Sequence, residues 1–219
     1  MAKFLLIDIK TNLVKLYIGI LILLFGGMFI FGVSNLNHER VTQYIELMFT
    51  ILGILLFTAI YSVDQNKKSK LTIGAKCHDY QFVFMLRIVI TIIYILFLII
   101  INLFIFYLFN SNIIVLRDMF IALTSTLFIG SICLLTSILS GNTLNGLMFG
   151  LVYFLFCLGF RNLGFMYLFS ETFNFPFYIK VFQFLLGIVL LIFSYTIIKK
   201  YKINTFWNQA LSFIISSVT

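Results

Sequence analysis

The chain has 219 residues, of which 62% are hydrophobic, 10% are charged and one is proline, with a mean hydropathy of +1.13. A soluble domain carries about a quarter charged residues, so this composition excludes an ordinary soluble enzyme or binding module and points to an all-α integral membrane protein. The formal charge of +8 would suit nucleic acid only if it were gathered on one solvated face, and its distribution along the chain gives it another meaning.

Residues 1–12 read as an amphipathic entry helix, with Phe4, Leu5 and Ile9 on one side and Lys3, Asp8 and Lys10 on the other, suited to lie on the inner membrane surface. The first span is predicted over 13–33. Within it, Gly19 and Gly26 fall seven residues apart on nearly one helix face, where small residues let another helix approach closely. A polar outer connection over 34–43 contains His38, Glu39 and Arg40, and His38 alone reads as a solvated loop residue rather than a ligand. The second span, 44–63, opens with Glu46, near enough to the surface to stay hydrated and given no chemistry.

The stretch over 64–81 is the long polar interruption. Lys67, Lys68 and Lys70 are three lysines within four residues. Each would cost about 2.5–3.5 kcal/mol at the centre of a membrane helix, so the stretch lies in water. Between them and Lys76-Cys77-His78-Asp79 sits an apolar island, Leu71-Thr72-Ile73-Gly74-Ala75. A short helix there would show Leu71 and Ala75 on one face at i, i+4. A topology signal explains the lysines; a docking element for a second protein explains the island as well.

The third span, 82–109, begins with Arg87, which can snorkel towards the inner water, and contains Asn102, which needs a hydrogen-bond partner on a neighbouring helix. After an outer turn at 110–117, the fourth span (118–139) carries Thr124, Ser125, Thr126, Ser131, Thr136 and Ser137, whose hydroxyls can bond back to their own helix. A tight inner turn at 140–143 leads to the fifth span, 144–160. There Gly146 and Gly150 form a GxxxG pair, for contact within the chain or across a dimer.

Residues 161–177 are too polar to span at Arg161, Asn162, Glu171 and Asn174, yet rich in phenylalanine, which predicts a re-entrant or interfacial hairpin on the outer side. The sixth span is predicted over 177–198. Beyond Lys199, Lys200 and Lys202, the tail sets Ile203, Phe206, Trp207, Ala210, Leu211 and Ile214 at helical spacing, a second interfacial amphipathic helix.

Six spans place both ends on one side. On that side fall Lys3, Lys10, Lys15, Lys67, Lys68, Lys70, Lys76, Arg87, Lys199, Lys200 and Lys202. Arg40, Arg117, Arg161 and Lys180 fall on the other, so eleven of the fifteen basic residues face the cytosol. The expected location is the plasma membrane with both termini cytosolic. The basicity is orientation, and no nucleic-acid partner is expected.

No GxxxxGK[ST] or HExxH motif occurs, and Cys77-His78-Asp79, being consecutive, point in different directions from a helix. Cys77, Cys133 and Cys157 form no disulfide framework. The chain is expected not to be an enzyme, and to hold no metal or cofactor directly.

This layout resembles the membrane subunit of ATP-binding-cassette exporters of the type 2 class. The likeness covers nearly the whole chain: the entry helix, the basic loop with Leu71 to Tyr80 leading into span three, the Ser131 to Asn145 stretch around the inner turn, and the hairpin before span six. Members often show a glutamate-rich start to the loop and a proline after the island, where this chain has Asp64, Gln65 and Lys76. More narrowly, its size, its Phe, Ile and Asn richness and its short loop are similar to the permeases of staphylococcal exporters of phenol-soluble modulins.

The resemblance implies six transmembrane helices and a second permease, the same or different, paired with this one. It implies cytosolic ABC ATPase subunits that hold ATP and Mg, and an amphipathic peptide or lipid-like cargo moving among membrane lipids. Leu71, Thr72, Ile73, Gly74, Ala75 and Lys76 would then form the coupling helix against the ATPase. A non-transporting membrane scaffold, an exporter of lipid or antimicrobial drug, and an intramembrane enzyme are the contrasting readings.

Overall fold

Apolar runs free of internal proline and lying in hydrocarbon can satisfy their backbone only within a helix, and that is how this chain folds. The computed structural model describes residues 14–65, 80–160 and 164–218. Among these the fold is all-helical, with no strand: α1 (Val14–Phe31), α2 (His38–Gln65), α3 (Tyr80–Leu108), α4 (Val115–Ser140), α5 (Thr143–Gly159) and α6 (Tyr178–Val218), with a single 3-10 turn at Gly164–Met166. Among the described residues four stretches are long and apolar enough to cross a membrane: His38–Ser62, Phe82–Leu108, Val115–Ser140 and Tyr178–Ile198. Leu16–Phe31 and Thr143–Gly159 are apolar but shorter.

Two boundaries differ from expectation. The second helix begins at His38 and not at 44, because the amides of Arg40 and Val41 already bond to the Asn37 carbonyl and the Thr42 hydroxyl donates to that of His38. The sixth helix does not end at 198 to make way for a separate amphipathic tail. It continues as one helix to Val218, since no proline or glycine interrupts the chain there. The turn at 140–143 falls as predicted: Gly141, at φ 67°, closes α4 by donating to the Ile138 carbonyl, and Asn142 accepts the Leu144 amide to start α5.

The two most enclosed helices, α2 and α4, lie against each other at the centre. Helices α5, α6 and α3 pack around α4, and α1 lies against α2. One apolar core joins α1 to α4 through Leu24, Tyr44, Phe49, Phe57, Phe106 and Leu134. A second joins α5 and the following connection to the centre through Ile54, Phe128, Cys133, Phe154 and Tyr167.

Glycine sets how closely the central helices approach. A β-carbon on Gly53 of α2 would stand 2.6 Å from the Thr126 carbonyl oxygen of α4, and one on Gly130 of α4 would meet the Phe57 ring of α2. Gly146 and Gly150 of α5 face Cys133 and Ser137 of α4 and Ile54 of α2, so this GxxxG contact lies within the chain. Gly19 and Gly26, assigned the same role from their spacing, meet nothing within 4 Å; on α1 it is Gly27 that faces a neighbour, the Met48 side chain.

Polar side chains cross-link the helices as interhelical glue. The Asn102 amide donates to the Tyr44 hydroxyl at 3.3 Å, which donates to the Leu24 carbonyl at 3.1 Å, tying α3 to α2 and α1. Most α4 hydroxyls bond back to their own helix, Thr126 to Ala122, Ser131 to Phe128 and Ser137 to Cys133.

Candidate functional site

At one end of the bundle the α1–α2 and α3–α4 loops exchange backbone bonds, Asn35 donating to Phe109 at 3.1 Å and Asn112 to Leu36 at 2.9 Å. Ser111 fastens them further, donating to the Val33 carbonyl and accepting the Leu36 amide. The α5–α6 connection meets the same end. Its residues Tyr167, Leu168, Phe169, Ser170 and Glu171 are buried, so a length of non-helical backbone has entered the protein interior. Such backbone needs hydrogen-bond partners that neither lipid nor a ladder supplies.

Side chains from α2 and α6 supply several of them. Glu46 of α2 accepts the backbone amides of Glu171 at 3.1 Å and Thr172 at 2.9 Å, and the Thr172 hydroxyl as well. These amides open the turn that Asn174 and Phe175 close by donating to the Glu171 and Ser170 carbonyls. The carboxylate therefore sits where a helical turn presents its unpaired N–H groups. Lys180 of α6 takes the opposite polarity, its ammonium donating to the Leu168 carbonyl at 2.6 Å and to the Ser125 hydroxyl of α4 at 3.2 Å. One turn on, Gln183 donates to the Tyr167 carbonyl at 2.8 Å and to that of Phe165 at 3.2 Å.

Glu46 and Lys180 also meet directly, Oε1 to Nζ at 2.7 Å, and both side chains are completely excluded from solvent, at 0% exposure. This corrects the sequence reading, which left Glu46 hydrated. Each ion is tolerable only because the other, together with the backbone dipoles, replaces its water.

A second pair lies beside the first. Arg117, in the first turn of α4, donates to Glu171 and stands 5.8 Å from the centre of the Phe177 ring. The next residue, Asp118, is buried and accepts the Ile114 amide at 2.8 Å, closing the start of α4, and it lies 3.9 Å from the Nδ1 of His38. His38 thus faces a carboxylate at the head of α2, where the sequence suggested a solvated loop residue.

The arrangement holds backbone and charge; among the described residues no three His, Cys, Asp or Glu side chains gather as a metal site. Residues Leu71, Thr72, Ile73, Gly74, Ala75 and Lys76, and the entry helix over 1–12, lie outside the described residues. Arg87, expected to snorkel, is buried in α3, where its carbonyl accepts the Thr91 hydroxyl. The sequence did hold a signal for the cluster: an acidic and a basic residue in separate predicted spans. Compared with protein-family models, with curated proteins and with solved structures, the chain matches none of them.

Proposed function

We propose that this chain is the membrane-spanning permease subunit of an ATP-driven exporter of the type 2 ATP-binding-cassette class, carrying amphipathic peptides out of the cell and so protecting it from them. In this reading all six helices span and both termini are cytosolic. The 18 residues of α1 and 17 of α5 reach about 27 and 26 Å at 1.5 Å per residue, close to the hydrocarbon thickness. The 164–177 connection is then the re-entrant outer hairpin that this class places before its last span.

The observation that carries the reading is the buried Glu46–Lys180 pair gripping that connection. A scaffold that merely anchors has no use for two buried charges, each of which costs about 2.5–3.5 kcal/mol on insertion scales. A subunit that must keep irregular backbone inside the membrane does. The chain itself binds no nucleotide; ATP and Mg belong to the cytosolic ATPase docked on 71–76, and a second permease completes the assembly.

Replacing Leu71 and Ile73 with serine tests this directly. Charge and orientation are unchanged, but an apolar contact of about 1.5–3 kcal/mol per buried side chain is lost, so ATPase co-purification and protection against an exported peptide should both fall at matched membrane abundance. Replacing Lys67, Lys68 and Lys70 with glutamine should instead weaken the orientation bias. If the serine variant binds ATPase and protects as the parent does, the coupling role is wrong and a scaffold is the better reading.

Topology has its own check. Cysteines at Lys68 and Ser216 should be labelled only from the cytosol, and cysteines at the exposed Asn37 and Asn174 only from outside. Labelling of the Lys68 site from outside would overturn the six-span arrangement.

A further inference from the structure

The geometry points to Glu46 and Lys180 as a polarity-matched latch that holds the 164–177 connection shut against the bundle and releases it as one unit. This deepens the permease reading, on which the latch's role as an outer gate rests.

The polarity is the first observation. Glu46 is placed against N–H groups, those of Glu171 and Thr172, and Lys180 against a carbonyl, that of Leu168. A pair serving only to neutralise charge would work equally well reversed. Reversed here, an ammonium would confront amide donors and a carboxylate would confront a carbonyl oxygen, so each ion reads the direction of the strap's backbone.

The second is how the strap is attached. Its own backbone bonds close turns within it, Tyr167 to Gly164, Phe173 to Phe169 and Phe175 to Ser170. Apart from those of the first-turn amides of α6, as from Lys180 and Val181 to the Phe177 carbonyl, the bonds described between it and the helices run through side chains, those of Glu46, Arg117, Lys180, Gln183 and Tyr153. Residues in the left-handed region bracket it, Gly164 at φ 58° and Asn174 at φ 56°, positions where the chain direction turns sharply. A segment turned at both ends and tethered by side chains can leave without unwinding a helix.

The third is that the closed arrangement is incompletely satisfied. Ser170 Oγ, Glu171 Oε1 and Gln183 Oε1 are buried and find no hydrogen-bond partner among the described residues. Exposure of these atoms to water on opening offsets part of what the broken tethers lose, which narrows the free-energy gap between the closed and open arrangements.

The fourth is the lever. Helix α2 runs unbroken from His38 to Gln65, so Glu46 near its outer end rides on the same rod that ends beside the basic 66–79 stretch. A turn or shift of α2 at its inner end is delivered to the carboxylate that holds the strap.

Hydrogen exchange on the full chain in lipid nanodiscs, without any ATPase, tests the latch. Amides over 168–175 should exchange together, about 100-fold faster than those of the α4 core over 121–134, as a unit that opens locally. Glu46→Gln and Lys180→Met should each speed the strap by about 10-fold or more, with its exchange still well ahead of that of α4, and the reversed pair Glu46→Lys with Lys180→Glu should do no better than either. Where those variants fail to fold, Thr172→Val removes one tethering bond and Gln183→Met two, and each should speed the strap by about 3-fold or more.

Strap exchange in step with α4 would overturn the proposal. So would wild-type protection in the reversed pair, or unchanged exchange in both Thr172→Val and Gln183→Met. Because no ATPase takes part, failure here leaves ATPase docking intact, and failure of co-purification leaves the latch intact.

Discussion

Lys180→Met and Glu46→Leu are each expected to destabilise the protein by about 3–5 kcal/mol, because each leaves the other ion buried without its counter-charge. Lys180 would retain only the Ser125 hydroxyl and the Leu168 carbonyl among its observed partners, and Glu46 only the amides of Glu171 and Thr172 and the Thr172 hydroxyl. The double variant should lose less than the sum of the singles by about 1–3 kcal/mol, since removing both ions also removes two desolvation costs. It should not regain the parent's stability, because the strap's backbone groups still lose their partners. Unfolding in mixed micelles, followed for the parent, both singles and the double, measures the coupling. Additive losses, or single losses below about 1 kcal/mol, would mean that the 2.7 Å contact contributes little.

Gly146→Leu is expected to cost about 3 kcal/mol or more, and Gly150→Leu somewhat less. The β-carbon at 146 would stand 2.5 Å from the Cys133 carbonyl oxygen and against the Ser137 hydroxyl, and backbone cannot move aside without shifting α4. At 150 the neighbours are side chains, Cys133 and the Ile54 carbons at 3.1 Å, which have more room to give. Gly19→Ala and Gly26→Ala are the contrast. Both positions are open, so alanine's better helix propensity should leave the fold unharmed or gain up to about 1 kcal/mol per site. Thermal unfolding of the four variants at matched detergent checks the ranking, and equal losses at 26 and 146 would contradict the packing described.

These two experiments also mark where reading the sequence stopped. Helical spacing singled out Gly146 and Gly150, four apart, and also Gly19 and Gly26, seven apart, yet only the first two lie against other helices of the chain. A small residue says that a helix can be approached; it does not say that one is there. Gly53 and Gly130 set the closest contact of the central pair, and each stands alone on its helix, so no spacing announced either.

Composition and local pattern were sufficient for everything that one segment decides against its solvent. The all-helical membrane class, the positions of six helices to within a few residues except at the start of α2 and the end of α6, the turn at Gly141 and Asn142, and the refusal of the 164–177 connection to form a long apolar helix all follow from hydropathy, charge and turn chemistry acting locally. The fate of Glu46 and Lys180 does not, because the sequence weighs each ion only against water and hydrocarbon, and on that scale both belong at the surface. Their complete burial becomes favourable only when α2, α6 and the strap meet, bringing opposite charges to 2.7 Å and supplying backbone groups of matching polarity. That compensation exists in the tertiary structure alone, since no partner of either ion lies near it in sequence.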